Sequence, residues 1–340
     1  MIKVNETPLR TSVNYGINDL SIDEKILDVT PTKINYTLDN DKVTVLPFRS
    51  LTLKRTISSL LDSQSQDMSN LDFNIVLDKN LDDTLIIEPS KAKTLISNIN
   101  IVVKEDISAK VIIKLDESIT YNNLKLKVTA KKGSNLELAI VCDIDGENFI
   151  NYEADLEENA NLNTFVFDFC KKLSVQNINF GLNGENAKSN LRSIYLGEGN
   201  EVIDLNYLNE VFGKNCSANI EVVGALKDKA TKNFKGTVNL IKGCKKSSGS
   251  ESEFCTLLSH DAKSKALPML LCTEEDVDGK HSTATGQIDD KQMFYLMSRG
   301  LNQKEAQKLI VLTKFNTIIN CLFDDNLKNI ILEIIDRKFD

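Results

Sequence analysis

His281 sits in the polar segment Val277-Asp278-Gly279-Lys280-His281-Ser282-Thr283-Ala284-Thr285-Gly286. A neutral imidazole there can bind a borderline metal, carry a proton or hydrogen-bond to the backbone. The segment itself reads as turn-rich. The other histidine, His260, follows Leu257-Leu258-Ser259 and precedes Asp261, the setting of a surface turn residue. With two imidazoles in the chain, zincin-type and multi-histidine metal sites are excluded. The seven cysteines, Cys142, Cys170, Cys216, Cys244, Cys255, Cys272 and Cys321, include no closely spaced pair. Neither a disulfide framework nor a self-contained zinc or cluster site fits that spacing, and most of these thiols read as small buried hydrophobes. No Gly-x-x-x-x-Gly-Lys-Ser/Thr phosphate loop and no Gly-x-Ser-x-Gly elbow occurs. Nucleotide hydrolysis and serine-hydrolase chemistry are therefore not expected of this chain. Gly197-Glu198-Gly199 lacks the dinucleotide fingerprint and reads as a turn between strands, while Ser247-Ser248-Gly249-Ser250 reads as a small flexible linker.

The elements that must position these groups are mostly strands. The first 25 residues carry no convincing periodic segment, and Pro8 and Gly16 argue against a long helix, so they read as an irregular arm. From Lys33 to Leu240, short apolar runs rich in β-branched residues, such as Ile101–Val103, Leu136–Val141 and Ile220–Leu226, alternate with polar turns such as Asp39-Asn40-Asp41 and Lys131-Lys132-Gly133-Ser134. No amphipathic helix is expected inside that run, which excludes βαβ crossovers. Several turns share a form: Glu158-Asn159-Ala160, Glu185-Asn186-Ala187, Lys214-Asn215-Cys216, Asp228-Lys229-Ala230 and Asp261-Ala262. Small residues at such positions suit the stacked corners of a right-handed β-helix or similar solenoid, with a β-sandwich as the competing architecture.

At Asp289 the period changes. Asp289 with Gln292, and Asn302 with Glu305, have the spacing of capping boxes, and Arg299-Gly300 supplies a stop between them. Ala306, Leu309, Ile310, Leu312, Phe315, Ile318, Ile319 and Leu322 then form an apolar surface too broad for one packing partner. Leu327, Ile330, Ile331, Ile334 and Ile335 give a further helix.

The chain of 340 residues is 41% hydrophobic and 26% charged, enough for a substantial core. A formal charge of -8 provides no attraction for nucleic acid or an anionic membrane. The start lacks the pattern of a secretory signal, and no run of about eighteen apolar residues appears. A soluble, cytoplasmic protein with no nucleic-acid or membrane partner is the expectation.

Phe234-Lys235-Gly236-Thr237-Val238, Cys255-Thr256-Leu257-Leu258-Ser259, the run from Ala262 to Pro268, and above all His281-Ser282-Thr283-Ala284-Thr285-Gly286-Gln287-Ile288-Asp289 with Phe294-Tyr295-Leu296-Met297-Ser298-Arg299-Gly300-Leu301 and Glu305-Ala306 resemble the C-terminal core of the SufB/SufD family of iron–sulfur cluster assembly scaffolds. Val4-Asn5-Glu6, Pro8 and Arg10-Thr11 resemble an arm motif on the SufD side of that family. The resemblance implies a mainly β fold, a right-handed parallel β-helix core followed by a C-terminal α-helical domain. It divides the chain into an arm at 1–32, a core at 33–288 and a helical ATPase-docking region at 289–340. It implies a non-catalytic SufD-like subunit of a SufB–SufC–SufD complex, pairing through its core with SufB, or with itself when isolated. The ATP-binding-cassette ATPase SufC would dock on 289–340 and hydrolyse ATP, with no nucleotide bound by this chain. SufB proteins carry a cysteine at the position of Ala262, a histidine at that of Lys265 and Glu-His-Glu where this chain has Lys280-His281-Ser282, so this chain is not expected to receive persulfide sulfur. Gly279 also departs from the cysteine common in SufD proteins. The histidine matching His281 persists, which implies a metal- and cofactor-binding role there toward transient iron or a nascent cluster shared with SufB. The alternative is a purely structural or homodimeric interaction protein with no cluster ligand. A sugar-processing solenoid enzyme would need facing acids, and no such pair is legible.

Overall fold

The computed structural model describes residues 2–8, 15–36, 43–47, 51–89 and 92–339. The Asp39-Asn40-Asp41 turn and Arg10-Thr11 lie outside the described residues. In chain order the arm gives β1 (Ile2–Lys3) and β2 (Ser21–Ile22), paired antiparallel, followed by β3 (Ile34–Tyr36), β4 (Thr44–Pro47) and helix α1 (Ser59–Asp67). Then come β5 (Leu71–Leu77), β6 (Leu85–Pro89), β7 (Thr94–Val103), β8 (Ser108–Leu115), β9 (Tyr121–Ala130), β10 (Asn135–Cys142), β11 (Glu147–Leu156) and β12 (Asn161–Asp168). The series continues with β13 (Leu173–Leu182), β14 (Lys188–Gly197), β15 (Val202–Val211), β16 (Ser217–Leu226), β17 (Thr231–Leu240), β18 (Ser247–Leu257), β19 (Lys263–Cys272) and β20 (Val277–Gln287). Three helices follow, α2 (Asp290–Ser298), α3 (Gln303–Ile319) and α4 (Asp325–Phe339).

Successive strands fall into two nine-stranded sheets in turn, with order β20-β18-β16-β14-β12-β10-β8-β6-β3 in the first and β19-β17-β15-β13-β11-β9-β7-β5-β4 in the second. Every pairing from β5 to β20 is parallel. Each coil thus contributes one strand to each sheet, the topology of a β-solenoid, and the sandwich alternative is excluded by the parallel register. One coil takes 26 residues where Asn122 bonds Asn148, and 31 where Ser250 bonds Asn219. Because the side-chain period is two, the inward residues of one strand stack on those of the next. Leucine, isoleucine, valine and tyrosine fill the lumen, with Tyr152 and Phe180 edge-to-face at 5.0 Å.

The corners explain the repeated turn. Asp106, Asn159, Asn186, Asn215, Asp228 and Lys246 all have φ between 55 and 59°, and Gly133 has φ 69°. Asn and Asp tolerate this left-handed conformation better than other non-glycine residues. At one corner the N–H of each such residue donates to the carbonyl of the next coil: Asp106 to Lys132, Gly133 to Glu158, Asn159 to Glu185, Asn186 to Lys214, Asn215 to Lys245. Ala160, Ala187, Cys216, Ala230 and Ala262 are buried just after or near these turns, as the spacing of small residues suggests.

Three readings from sequence are corrected. The run from Lys33 to Leu240 does contain a helix, α1, capped by Ser58. Its face carries polar contacts instead of an apolar stripe: Gln64 accepts from Tyr121 Oη at 2.7 Å and Ser65 Oγ meets Asn98 at 2.6 Å, so hydrophobic periodicity could not reveal it. Ser247-Ser248-Gly249-Ser250 is the start of β18, not a linker; Gly249 is small because a Cβ would stand 2.4 Å from Val238. Val277–Gln287 is a continuous strand, not a turn-rich segment; in-register pairing with β18 satisfies one side of its backbone, and its polarity reflects exposure on both faces.

The helices cover the outer face of the first sheet. Val311, Phe315, Ile318, Ile319, Leu327, Ile331, Ile334, Ile335 and Phe339 pack on Ile112, Val141, Phe165, Phe167, Ile194 and Val223. Asn302 and Glu305 form the full capping box, but Asp289 caps α2 through the N–H of Lys291 without a reciprocal bond from Gln292. On the second sheet, Val4, Ile22 and Ile57 join Leu61, Ile96, Phe149 and Val175 in a smaller cluster.

Candidate functional site

The C-terminal end of the solenoid is a mouth. β19 and β20 are the last strands of their sheets, and each offers an unpaired edge. His281 lies on β20, exposed, and pairs in register with Glu251 of β18. Glu251 points into the lumen, so His281 belongs to the same inward column. The column's orientation agrees with Ser264 Oγ and Thr285 Oγ1, which meet across the mouth at 3.2 Å.

Directly beneath the mouth the lumen is polar. Lys232 Nζ donates to Glu253 Oε1 at 2.6 Å, and both side chains are fully buried. Tyr195, two coils away, donates to the same oxygen at 2.9 Å. It reaches Glu253 because Gly224 intervenes: a Cβ there would stand 1.9 Å from the Tyr195 ring. Glu251 is also buried, and burial together with the nearby Glu253 pushes its carboxyl up to about 8, the Lys232 ammonium opposing. Cys255 is buried in the same region, and desolvation raises its thiol above the ordinary value, so it is not a reactive thiolate.

Sequence reasoning placed His281 at the junction between core and helices, and the structure puts it at the open end of the lumen. It missed Glu251, Glu253 and Lys232. A signal existed: Gly249, Glu251, Glu253 and Cys255 share one face of a strand, so acids occupy positions where a lumen calls for apolar residues. Lys265 faces the other way, with Nζ 5.7 Å from the Tyr15 ring centroid. Ala262 is buried at the preceding corner. His260 is exposed in a turn, its Nδ1 3.3 Å from Gln287 Nε2. Among the described residues no group of three His, Cys, Asp or Glu side chains is arranged to hold a metal ion. A metal at His281 therefore needs ligands from elsewhere.

The second candidate surface is helical. Phe294 is 76% exposed, and Tyr295, Met297 and Leu309 are also exposed. Ile310, counted from sequence in the broad apolar surface, is buried, as are Ala306, Phe315, Ile318 and Ile319. Most of that surface, through Val311, Phe315, Ile318 and Ile319, packs on two internal partners, the first sheet and α4.

The class of protein so defined is a parallel β-solenoid with an open polar mouth and a helical layer on one face. Residues 86–313 match the family model described as SUF system FeS cluster assembly, SufBD core domain. The chain belongs to the SufB/SufD family. It is 29% identical over 157 residues to the iron-sulfur cluster assembly protein SufD of Bacillus subtilis, covering 46% of this chain and 36% of that one. It is 28% identical over 191 residues to the SufD protein of Escherichia coli, covering 56% and 45%. An iron-sulfur cluster assembly SufBD family protein of Pyrococcus horikoshii is 31% identical over 153 residues, covering 44% and 33%. The matched segment therefore spans less than half the length of each of these relatives. Among the described residues no helix is long and apolar enough to cross a membrane.

Proposed function

We propose that this chain is a SufD-like scaffold subunit that supports nascent cluster formation or iron entry at an interface shared between two cores. The observation that carries the reading is the long open edge formed by β19 and β20 with His281 in the mouth between them. A SufB-like core would complete the site, supplying the thiolate that this chain lacks at Ala262, while His281 offers one imidazole to iron as cargo. Imidazole is a borderline ligand, suited to a site that must release what it assembles. The arm would occupy 1–32, the core 33–288 and the docking region 289–340. In that region Phe294, Tyr295, Met297 and Leu309 are the exposed apolar groups available to a SufC-like ATPase. ATP hydrolysis would belong to that partner, and its strokes would shift the helical region relative to a fixed core. We expect the assembly in the cytoplasm.

Coexpression with SufB and SufC, followed by native mass spectrometry, tests the assembly: this chain is expected in a complex containing both, and a stable chain that associates with neither rejects the role. His281→Ala tests the ligand. The assembled variant is expected to keep its subunit ratio and melting temperature while losing iron and visible cluster absorbance after anaerobic reconstitution. Normal iron loading in a normally assembled variant rejects His281 as a ligand and leaves the purely structural alternative.

A further inference from the structure

Burying a carboxyl group without a hydrogen-bond partner is costly, and nearly all such groups in folded proteins have one. Glu251 departs from that rule. The residue is 1% exposed, and neither carboxyl oxygen has a partner among the described residues. The interior nevertheless makes room for it: a Cβ on Gly236 would stand 2.5 Å from its carboxyl carbon, so any other residue there would collide with it. Glu253, two residues on, has its own partners in Lys232 and Tyr195. Toward the body of the solenoid the in-register neighbour of Glu251 is Ile220, and across the lumen stand Gly236 and Phe234. Toward the mouth the in-register neighbour is His281. Of the two residues stacked on Glu251, His281 alone can donate a hydrogen bond.

Adjacent strands lie about 4.8 Å apart, and paired residues on one face of a parallel sheet project side by side. A rotamer change in either side chain therefore brings imidazole and carboxyl into hydrogen-bonding range. We infer that Glu251 is a positioning residue for His281: a carboxyl oxygen accepts a hydrogen bond from one ring N–H, fixing the tautomer and leaving the other ring nitrogen to face out of the mouth. Metal-binding histidines are commonly held in this way, and loss of the outer partner changes metal affinity by about 10–100-fold. The consequence for iron rests on His281 being a ligand, but the pairing is a property of the metal-free chain and is tested there.

The test uses the nitrogen-15-labelled chain of 340 residues without metal. Its two histidines give two sets of imidazole correlations, and His281→Ala assigns them. The wild type is expected to show His281 biased to one tautomer. Glu251→Gln, which keeps a carbonyl acceptor, should retain the bias. Glu251→Leu should shift the tautomer ratio by about fivefold, the equilibrium equivalent of one net hydrogen bond of about 1 kcal/mol. A wild-type His281 with the tautomer ratio of free histidine, or a ratio unchanged in Glu251→Leu, overturns the inference. Should Glu251→Leu fail to fold, the comparison of wild-type His281 with free histidine still decides. A parallel titration with Co²⁺ on the core assembled with its partner separates the two readings. Binding unchanged in His281→Ala defeats the ligand role whatever the tautomer does. Binding weakened in His281→Ala but equal to wild type in Glu251→Leu defeats the positioning role alone.

Discussion

Glu201 couples the C-terminal helix to the solenoid through a group that titrates near neutrality. Its side chain is buried, accepts the N–H of Glu198 at 2.8 Å and stands 3.7 Å from the Lys338 ammonium, which itself bonds Glu198 at 2.9 Å. Burial raises the Glu201 carboxyl from 4.5 to about 7, with Glu198 and Asp168 adding to the effect and Lys338 opposing it. The folded chain thus holds this proton up to about pH 7, while the unfolded chain releases it near 4.5. Between those values the folded state binds more protons, so this group's contribution to stability falls as pH rises and levels off above about 7. Each pH unit of displacement corresponds to about 1.4 kcal/mol, so the loss is on the order of 3 kcal/mol. Glu201→Gln keeps an acceptor for Glu198 and removes the ionisation. Thermal unfolding at several pH values from 5 to 8 should show a shallower decline in the variant than in the wild type; parallel profiles would show that Glu201 is not perturbed. Nothing in the sequence near Glu201 separates it from an ordinary turn acid, because its perturbation comes from burial in the folded chain, which Lys338, far along the sequence, only partly offsets.

The helices illustrate how an apolar pattern specifies burial without naming the partner. The rhythm from Ala306 to Ile335 correctly signals helices with wide apolar faces, and the Asn302–Glu305 box is legible to the residue. The pattern cannot distinguish a face covered by another protein from one covered by the chain's own sheet, since both demand the same residues. Ile310 is covered internally, whereas the adjacent Leu309 remains exposed. Ile310→Asp should therefore act on folding, burying a carboxylate without a partner and costing at least about 3 kcal/mol. Leu309→Asp should leave stability within about 0.5 kcal/mol of wild type and, under the proposed docking role, weaken binding of a SufC-like ATPase. Urea unfolding of both variants, with a pull-down of the coexpressed ATPase on the folded one, checks the pair; a stable Ile310→Asp protein would contradict the packing. The strands were legible for a similar reason, their alternation and their Asn- and Asp-containing corners being local. α1 escaped because its contacts with Asn98 and Tyr121 are polar and depend on the coil beneath it. The luminal acids escaped because alternation marks a face without revealing which side is the lumen.

The two ends of the molecule differ in a way that bears on association. At the N-terminal end the parallel sheets finish in β3 and β4, which pair antiparallel with β6 and β5 and are 3 and 4 residues long. Short edge strands offer little to another chain. At the C-terminal end β19 and β20 are 10 and 11 residues long, and no strand or helix among the described residues continues the sheets beyond them. Nearly every residue of β20 is exposed on both faces. Long unpaired edges recruit further strands, and two copies meeting at the same edge form a closed isologous pair instead of an open filament. The chain is therefore expected to self-associate through β19 and β20 when no SufB-like core is present, and to exchange that contact for the heterologous one when it is. Thr283→Lys with Thr285→Lys places two charges on the inward face of the mouth, a substitution that should oppose edge pairing while leaving the buried coils intact. Sedimentation velocity over a concentration series should show a wild-type chain moving from monomer to dimer and a double variant that stays monomeric with unchanged thermal stability. A wild type that remains monomeric at every concentration, or a variant that dimerises equally well, would show that the mouth is not the self-association surface.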